Sequence, residues 1–106
     1  MSNTTIRQLN DEFRKSFRGG HILATPTVQA LDAGSRSKLF NLVQVDVPTP
    51  GNDPYGEADF GCIEHESERF FWKIDYYDSQ LSYASPDPSN PAVTTRVLTI
   101  MHSSEY

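Results

Sequence analysis

Apolar residues recur along the chain with two different periods. Ile6, Leu9, Phe13 and Phe17 fall at i, i+3, i+7 and i+11, one stripe of an amphipathic helix. Asn3, Thr4 or Thr5 can supply the capping oxygen, and Gly19-Gly20 ends the run, because glycine takes the left-handed conformation of a helix C-terminus cheaply. The pattern predicts a helix over about 4–18 whose polar side, with Arg7, Asp11, Arg14 and Arg18, faces solvent. A short apolar run, His21 to Thr25, stops at Pro26 and reads as a short edge strand. A second helix is predicted over about 33–44, capped by Asp32 or Ser35, with Leu39, Phe40, Leu42 and Val43 as its buried side.

From Asp59 the period becomes two. Phe60, Cys62 and Glu64 alternate with Gly61, Ile63 and His65, and Glu66-Ser67-Glu68 reads as a hairpin turn. The strand from Arg69 to Asp75 or slightly beyond sets Phe70, Trp72, Ile74 and Tyr76 on one face, the core set, and Phe71, Lys73, Asp75 and Tyr77 on the other. Residues 77–83 offer one more brief strand. The last strand, Val93 to Met101, is apolar enough on both sides to be central and covered on both faces. Two proline-rich loops, 48–54 and 85–91, separate these elements. The expected architecture is α+β: two N-terminal helices packed on one face of an antiparallel sheet of three to five strands.

A chain of 106 residues suits a single domain, 1–106. Cys62 is the only cysteine, no apolar run spans a bilayer, and the N-terminus shows no signal peptide, so a cytoplasmic address with no membrane partner is expected. The net charge of −5 is divided unevenly. Residues 1–44 carry a local +3, whereas residues 45–106 set eleven acids against Arg69, Lys73 and Arg96, a local −8. Such a surface repels a nucleic-acid backbone and attracts basic partners, although acidity also simply keeps a protein soluble.

The run Asn52-Asp53-Pro54-Tyr55-Gly56-Glu57-Ala58-Asp59-Phe60-Gly61 resembles the signature N-D-P-Y-G-E-H-D-F-G of an uncharacterised bacterial domain family. The likeness continues through Phe71 to Asp78, Ser85 to Pro88 and Thr94 to Met101. The resemblance implies a small protein of plasmids and other mobile elements and brings no settled activity. Ala58 stands where the family usually has histidine, so any chemistry of that histidine is missing here.

Asp53, Glu57 and Asp59 have the oxygen ligands of a Ca²⁺ or Mg²⁺ loop but lack the EF-hand frame, and turn capping is the favoured role; no metal and no cofactor is expected. Cys62 and His65 point to opposite sides of one strand, so no nucleophile–base pair forms and Cys62 is expected to be a small buried residue. Lys73, Asp75 and Arg96 suit a cross-strand ion pair, or, with Tyr55, Tyr76 and Tyr77, an anion site. No catalytic set emerges. The leading expectation is a non-enzymatic, acidic protein-interaction module using Asp53, Tyr55, Glu57, Asp59, Glu64, Glu66, Lys73, Asp75 and Tyr77. Its partner would be a protein with a basic surface, such as one in a nucleoprotein complex, with no direct contact to nucleic acid. With the mobile-element setting that the resemblance implies, this points to an inhibitor of a host nucleic-acid-targeting defence complex, of the anti-CRISPR or anti-restriction kind. The alternative is a small enzyme or ligand-binding domain with its pocket between loop 48–59 and the sheet, using Glu57, Asp59, Lys73 and Asp75.

Overall fold

The computed structural model describes residues 3–106. Helix α1 spans Asn3–Ser16, strand β1 Gly20–Ala24, a one-turn helix α2 Pro26–Gln29, and helix α3 Ala33–Val45. Strands β2 (Phe60–His65), β3 (Glu68–Tyr77) and β4 (Thr95–His102) follow. Asn3, Thr4 and Thr5 are inside α1, so its capping residue lies outside the described residues. The Asp32 cap of α3 forms as predicted, its carboxylate accepting from the Ser35 N–H at 2.8 Å. Pro26 both ends β1 and opens α2, since the first turn of a helix needs no proline N–H.

The four strands form one sheet in the order β1-β4-β3-β2. β2, β3 and β4 are antiparallel neighbours, but β1 runs parallel to β4, with Ile22 beside Leu98. The sheet is therefore mixed, and the helices number three, which corrects the expectation of two helices on an antiparallel sheet. The physical reason is connectivity. β1 and β4 are far apart in sequence, so no hairpin fixes their relative direction, and α2 and α3 carry the chain across before β2 begins. Of the further strand expected over 77–83, Tyr77 is the end of β3 and residues 78–83 make no strand; Tyr77 meets Ala84 in one isolated bridge, and the segment is a turn folded around the Asp78 carboxylate.

The alternation in β3 faces the way it was read. Phe70, Trp72 and Ile74 lie under the helices with Leu98 and Ile100, and Phe13, Val28, Leu39 and Val43 descend on them. Each such side chain stabilises the fold by roughly 1.5–3 kcal/mol relative to exposure. The other sheet face is not the one that α1, α2 and α3 pack against. There Tyr106 packs its ring on Phe60 and Phe71 at 5.6 and 5.3 Å, and Val97 and Met101 are buried. Cys62, expected to be buried, is on this open face beside Phe71 and is only half-buried. His65, by contrast, is on the helix face, where its Nε2 lies 3.0 Å from both the Ser35 hydroxyl and the Ser35 carbonyl.

Gly61 explains one close approach. Any side chain there would run into the Trp72 indole and the Asp46 carboxylate, which the indole N–H reaches at 2.9 Å. The single hydrogen side chain thus lets the C-terminal end of α3 settle against β2 and β3.

Candidate functional site

α1 does more than cover the sheet. Its buried side chains are Ile6, Asn10, Phe13 and Arg14, and Leu9 is only half-buried. Asn10 Nδ2 donates to the Glu57 carbonyl at 2.9 Å and to the Tyr76 hydroxyl at 2.7 Å, and its Oδ1 accepts from Arg96 Nε at 2.7 Å. Arg96 also donates to the Pro88 carbonyl and lies over the Tyr76 ring. Asn10 and Arg96 together therefore tie helix, loop 52–61, the second proline loop and sheet. Arg14, expected on the solvated side of the helix, is 1% exposed. It donates to the Val43, Gln44 and Asp46 carbonyls at 2.9, 3.2 and 2.7 Å, stacks over Trp72 and pairs with Asp11. Its cation sits at the negative C-terminal end of α3, where carbonyls lack helical partners.

Loop 52–61 is fastened to this scaffold. Asp53 is buried; its carboxylate accepts from the Ala58 N–H at 3.0 Å and from Arg7 at 2.9 Å. Arg7 reaches the Gly56 carbonyl as well. Gly56 and Ala58 both hold left-handed backbone, φ +68° and +55°, and Ala58 is fully buried.

The predicted site residues separate into three groups. Around the loop, Glu57 and Asp59 are half-buried. Burial and the neighbouring Asp59 and Asp53 raise the Glu57 pKa, and burial, Asp53 and Asp75 raise that of Asp59 against the pull of its own backbone N–H. Glu57 interacts with the Asp59 carboxyl and with the Tyr76 phenol, whose own pKa burial pushes upward. On the open face, Lys73 and Asp75 form a 2.9 Å ion pair within β3, which holds the Lys73 pKa up, and Tyr77 stands one step further along the strand. Arg96 does not join them: it is buried under the helices, which removes the expected Lys73–Asp75–Arg96 constellation. At the hairpin, Glu64 and Glu66 are exposed, with Arg69 bonded to Glu64 at 3.0 Å. Tyr55 is 75% exposed beside the loop.

Arg7 and Asn10, which hold the loop, and Arg14 and Arg96, which tie the elements around it, do not stand out as a set in the sequence. The available signal was their position: Asn10 and Arg14 lie four and eight residues after Ile6, on the buried stripe itself. Among the described residues no group of three or more His, Cys, Asp and Glu is arranged to hold a metal ion, and no helix is long and apolar enough to cross a membrane.

A family model described as protein of unknown function (DUF3768) matches residues 24–105. Neither the curated proteins nor the solved structures contain a match.

Proposed function

The chain belongs to the DUF3768 family, and from that premise and the geometry above we propose that it is a non-enzymatic acidic module that binds a basic surface on a protein partner. The observation that carries the reading is that the seven acids from Asp46 to Glu68 are interrupted by no Lys or Arg, while Glu64, Glu66 and Glu68 all stand exposed at the β2–β3 hairpin. Carboxylates along a rigid edge attract a groove built for phosphates by the same electrostatics. A nucleic-acid-targeting defence complex has such a groove, and the plasmid and mobile-element setting of the sequence resemblance fits an inhibitor of that kind. Asp53 is engaged internally, so the binding carboxylates are Glu57, Asp59, Glu64 and Glu66, with Tyr55, Lys73, Asp75 and Tyr77 as flanking contacts.

The test is a pull-down of host nucleoprotein complexes at about 50 and about 500 mM salt, a range over which exposed charge attraction is largely screened. Capture at low salt that weakens sharply at high salt is expected. The quadruple change Glu57→Gln, Asp59→Asn, Glu64→Gln, Glu66→Gln should abolish it without unfolding the protein. Binding that ignores salt, or no binding, overturns the reading.

One observation favours a second reading. The Glu57–Asp59 carboxyl pair beside the Tyr76 phenol has the make-up of an acid–base or ligand-binding site between loop 48–59 and the sheet. A small molecule released on denaturing the purified protein, identified by mass spectrometry, would support it.

A further inference from the structure

β2 ends the sheet, so one of its two edges has no strand beside it. The register shows which groups that edge presents. Ile74 N–H donates to the Asp59 carbonyl at 2.8 Å, and the ladder then pairs Phe60 with Lys73, Gly61 with Trp72 and so on to His65 with Glu68. In an antiparallel pair, hydrogen-bonded and non-hydrogen-bonded positions alternate. Asp59, Gly61, Ile63 and His65 therefore turn their main chain toward β3, and Phe60, Cys62 and Glu64 turn theirs outward. Three N–H and C=O pairs spaced by about 7 Å line the free edge.

The edge is also flanked by an apolar shelf. α3 runs along β2, with Ser35 against His65 at one end and Asp46 against Gly61 at the other. Its outer flank leaves Leu42 and Val45 37% and 72% exposed, and a groove lined by Lys38, Asn41, Leu42, Val45 and His65 opens there. Natural edge strands are commonly blocked by proline, lysine or a bulge. β2 has none of these; its only outward charge is Glu64.

We propose that this edge takes up an extended, basic segment of a partner protein as a fifth strand. The segment would bond to the main chain of Phe60, Cys62 and Glu64. Its side chains on the helix face would settle on Leu42 and Val45, and those on the open face would bring a lysine or arginine beside Glu64. The Glu64–Arg69 pair is solvent-exposed and so leaves the Glu64 charge largely available. Charge decides the occupant. Two copies joined antiparallel about Cys62 would bring Glu64 and Glu66 of each to the same end of the pair as Glu57 and Asp59 of the other, and a parallel joining would set Glu64 beside Glu64; both gather like charges. A segment alternating apolar and basic residues meets no such repulsion.

The inference rests on the proposed basic partner and adds the mode of binding. The probe is a synthetic peptide of alternating Val/Ile and Lys/Arg, titrated into ¹⁵N-labelled protein. Two controls carry the same charge: one N-methylated on the amides that would face β2, the other on the opposite set. Binding is expected to protect the Phe60, Cys62 and Glu64 amides from hydrogen exchange. N-methylation of the facing set should weaken binding about tenfold or more, and of the opposite set little. Val45→Asp should weaken all strand-dependent binding while leaving the hydrogen-exchange pattern of β3 and β4 intact. If all three peptides bind equally and only salt releases them, strand addition is overturned and the acidic-surface reading stands. If none binds, both fail. A concentration-dependent dimer that protects the same three amides would make a second copy the occupant and overturn the proposal.

Discussion

Asn10 and Arg14 occupy helix positions where an apolar side chain would ordinarily complete the core stripe. Burying a guanidinium costs several kcal/mol unless its donors are satisfied. Here three main-chain carbonyls, the Asp11 carboxylate and the Trp72 ring surround it, with only Nε lacking a partner. Removing the side chain would strand the α3 carbonyls in a void, so Arg14→Ala should lower stability by about 3–5 kcal/mol. Arg14→Lys keeps the charge but lacks the planar fork that spans several carbonyls, and should cost about 1–3 kcal/mol. Urea unfolding at constant slope measures both; a loss below about 1 kcal/mol for the alanine variant would refute this account. Spacing alone allows Asn10 and Arg14 on the buried stripe, but the charge of Arg14 reads as solvent-facing, and its partners Val43 and Asp46 become neighbours only once α3 has crossed the sheet.

Among the elements, loop 52–61 is held like a piece of core. Asp53 bonds both the Ala58 N–H within the loop and Arg7 on α1. Asp53→Asn retains an acceptor for the amide and loses the ion pair, so about 1 kcal/mol is expected; Asp53→Ala loses both and should cost about 2–3 kcal/mol. Limited proteolysis should then cut near Tyr55 while β3 and β4 stay protected, and a loop that remains resistant would show that its prolines alone keep it in place. The turn-capping role of Asp53 was readable in the sequence, since a short acceptor among prolines and glycine binds nearby amides. So were α1, α3, the β2–β3 hairpin and the inward face of β3, whose periods are long and clear. The direction of β1 was not. Five residues carry no mark distinguishing a parallel from an antiparallel neighbour, and β4 lies some seventy positions later. Of the site, the acids of the hairpin could be placed on the surface from alternation alone. The split of Arg96 from Lys73 and Asp75 followed from strand register, which alternation within each strand leaves undetermined.

At the scale of the whole molecule, two sets of carboxyls respond to acid in opposite senses. Burial and like charge raise the Glu57 and Asp59 pKa values above their ordinary 4.5 and 3.8. The folded state therefore binds their protons more tightly than the unfolded chain. The stabilisation from these groups is complete below their ordinary values and is lost as pH rises through the raised ones. Glu105 behaves oppositely. Burial works to raise its pKa, but bonds from the Thr25 hydroxyl, the Thr27 N–H and the His102 N–H outweigh it and bring it to about 2. Its contribution, which clasps the C-terminal turn to the start of α2, is present above 4.5 and disappears as pH falls toward about 2. Relief of self-repulsion in a chain of net charge −5 adds to the rise on mild acidification. Stability should thus be higher on the acid side of neutrality than at pH 7. Urea midpoints measured from about pH 3 to pH 8 would trace the curve. Glu57→Gln with Asp59→Asn should flatten the fall toward neutral pH and raise the midpoint there, whereas Glu105→Gln should lower the midpoint at neutral pH and flatten the limb between about 4.5 and about 2. A double variant whose profile matches the parent above pH 5 would mean that the two loop carboxyls are fully solvated and ionised. They would then add their whole charge to the acidic surface.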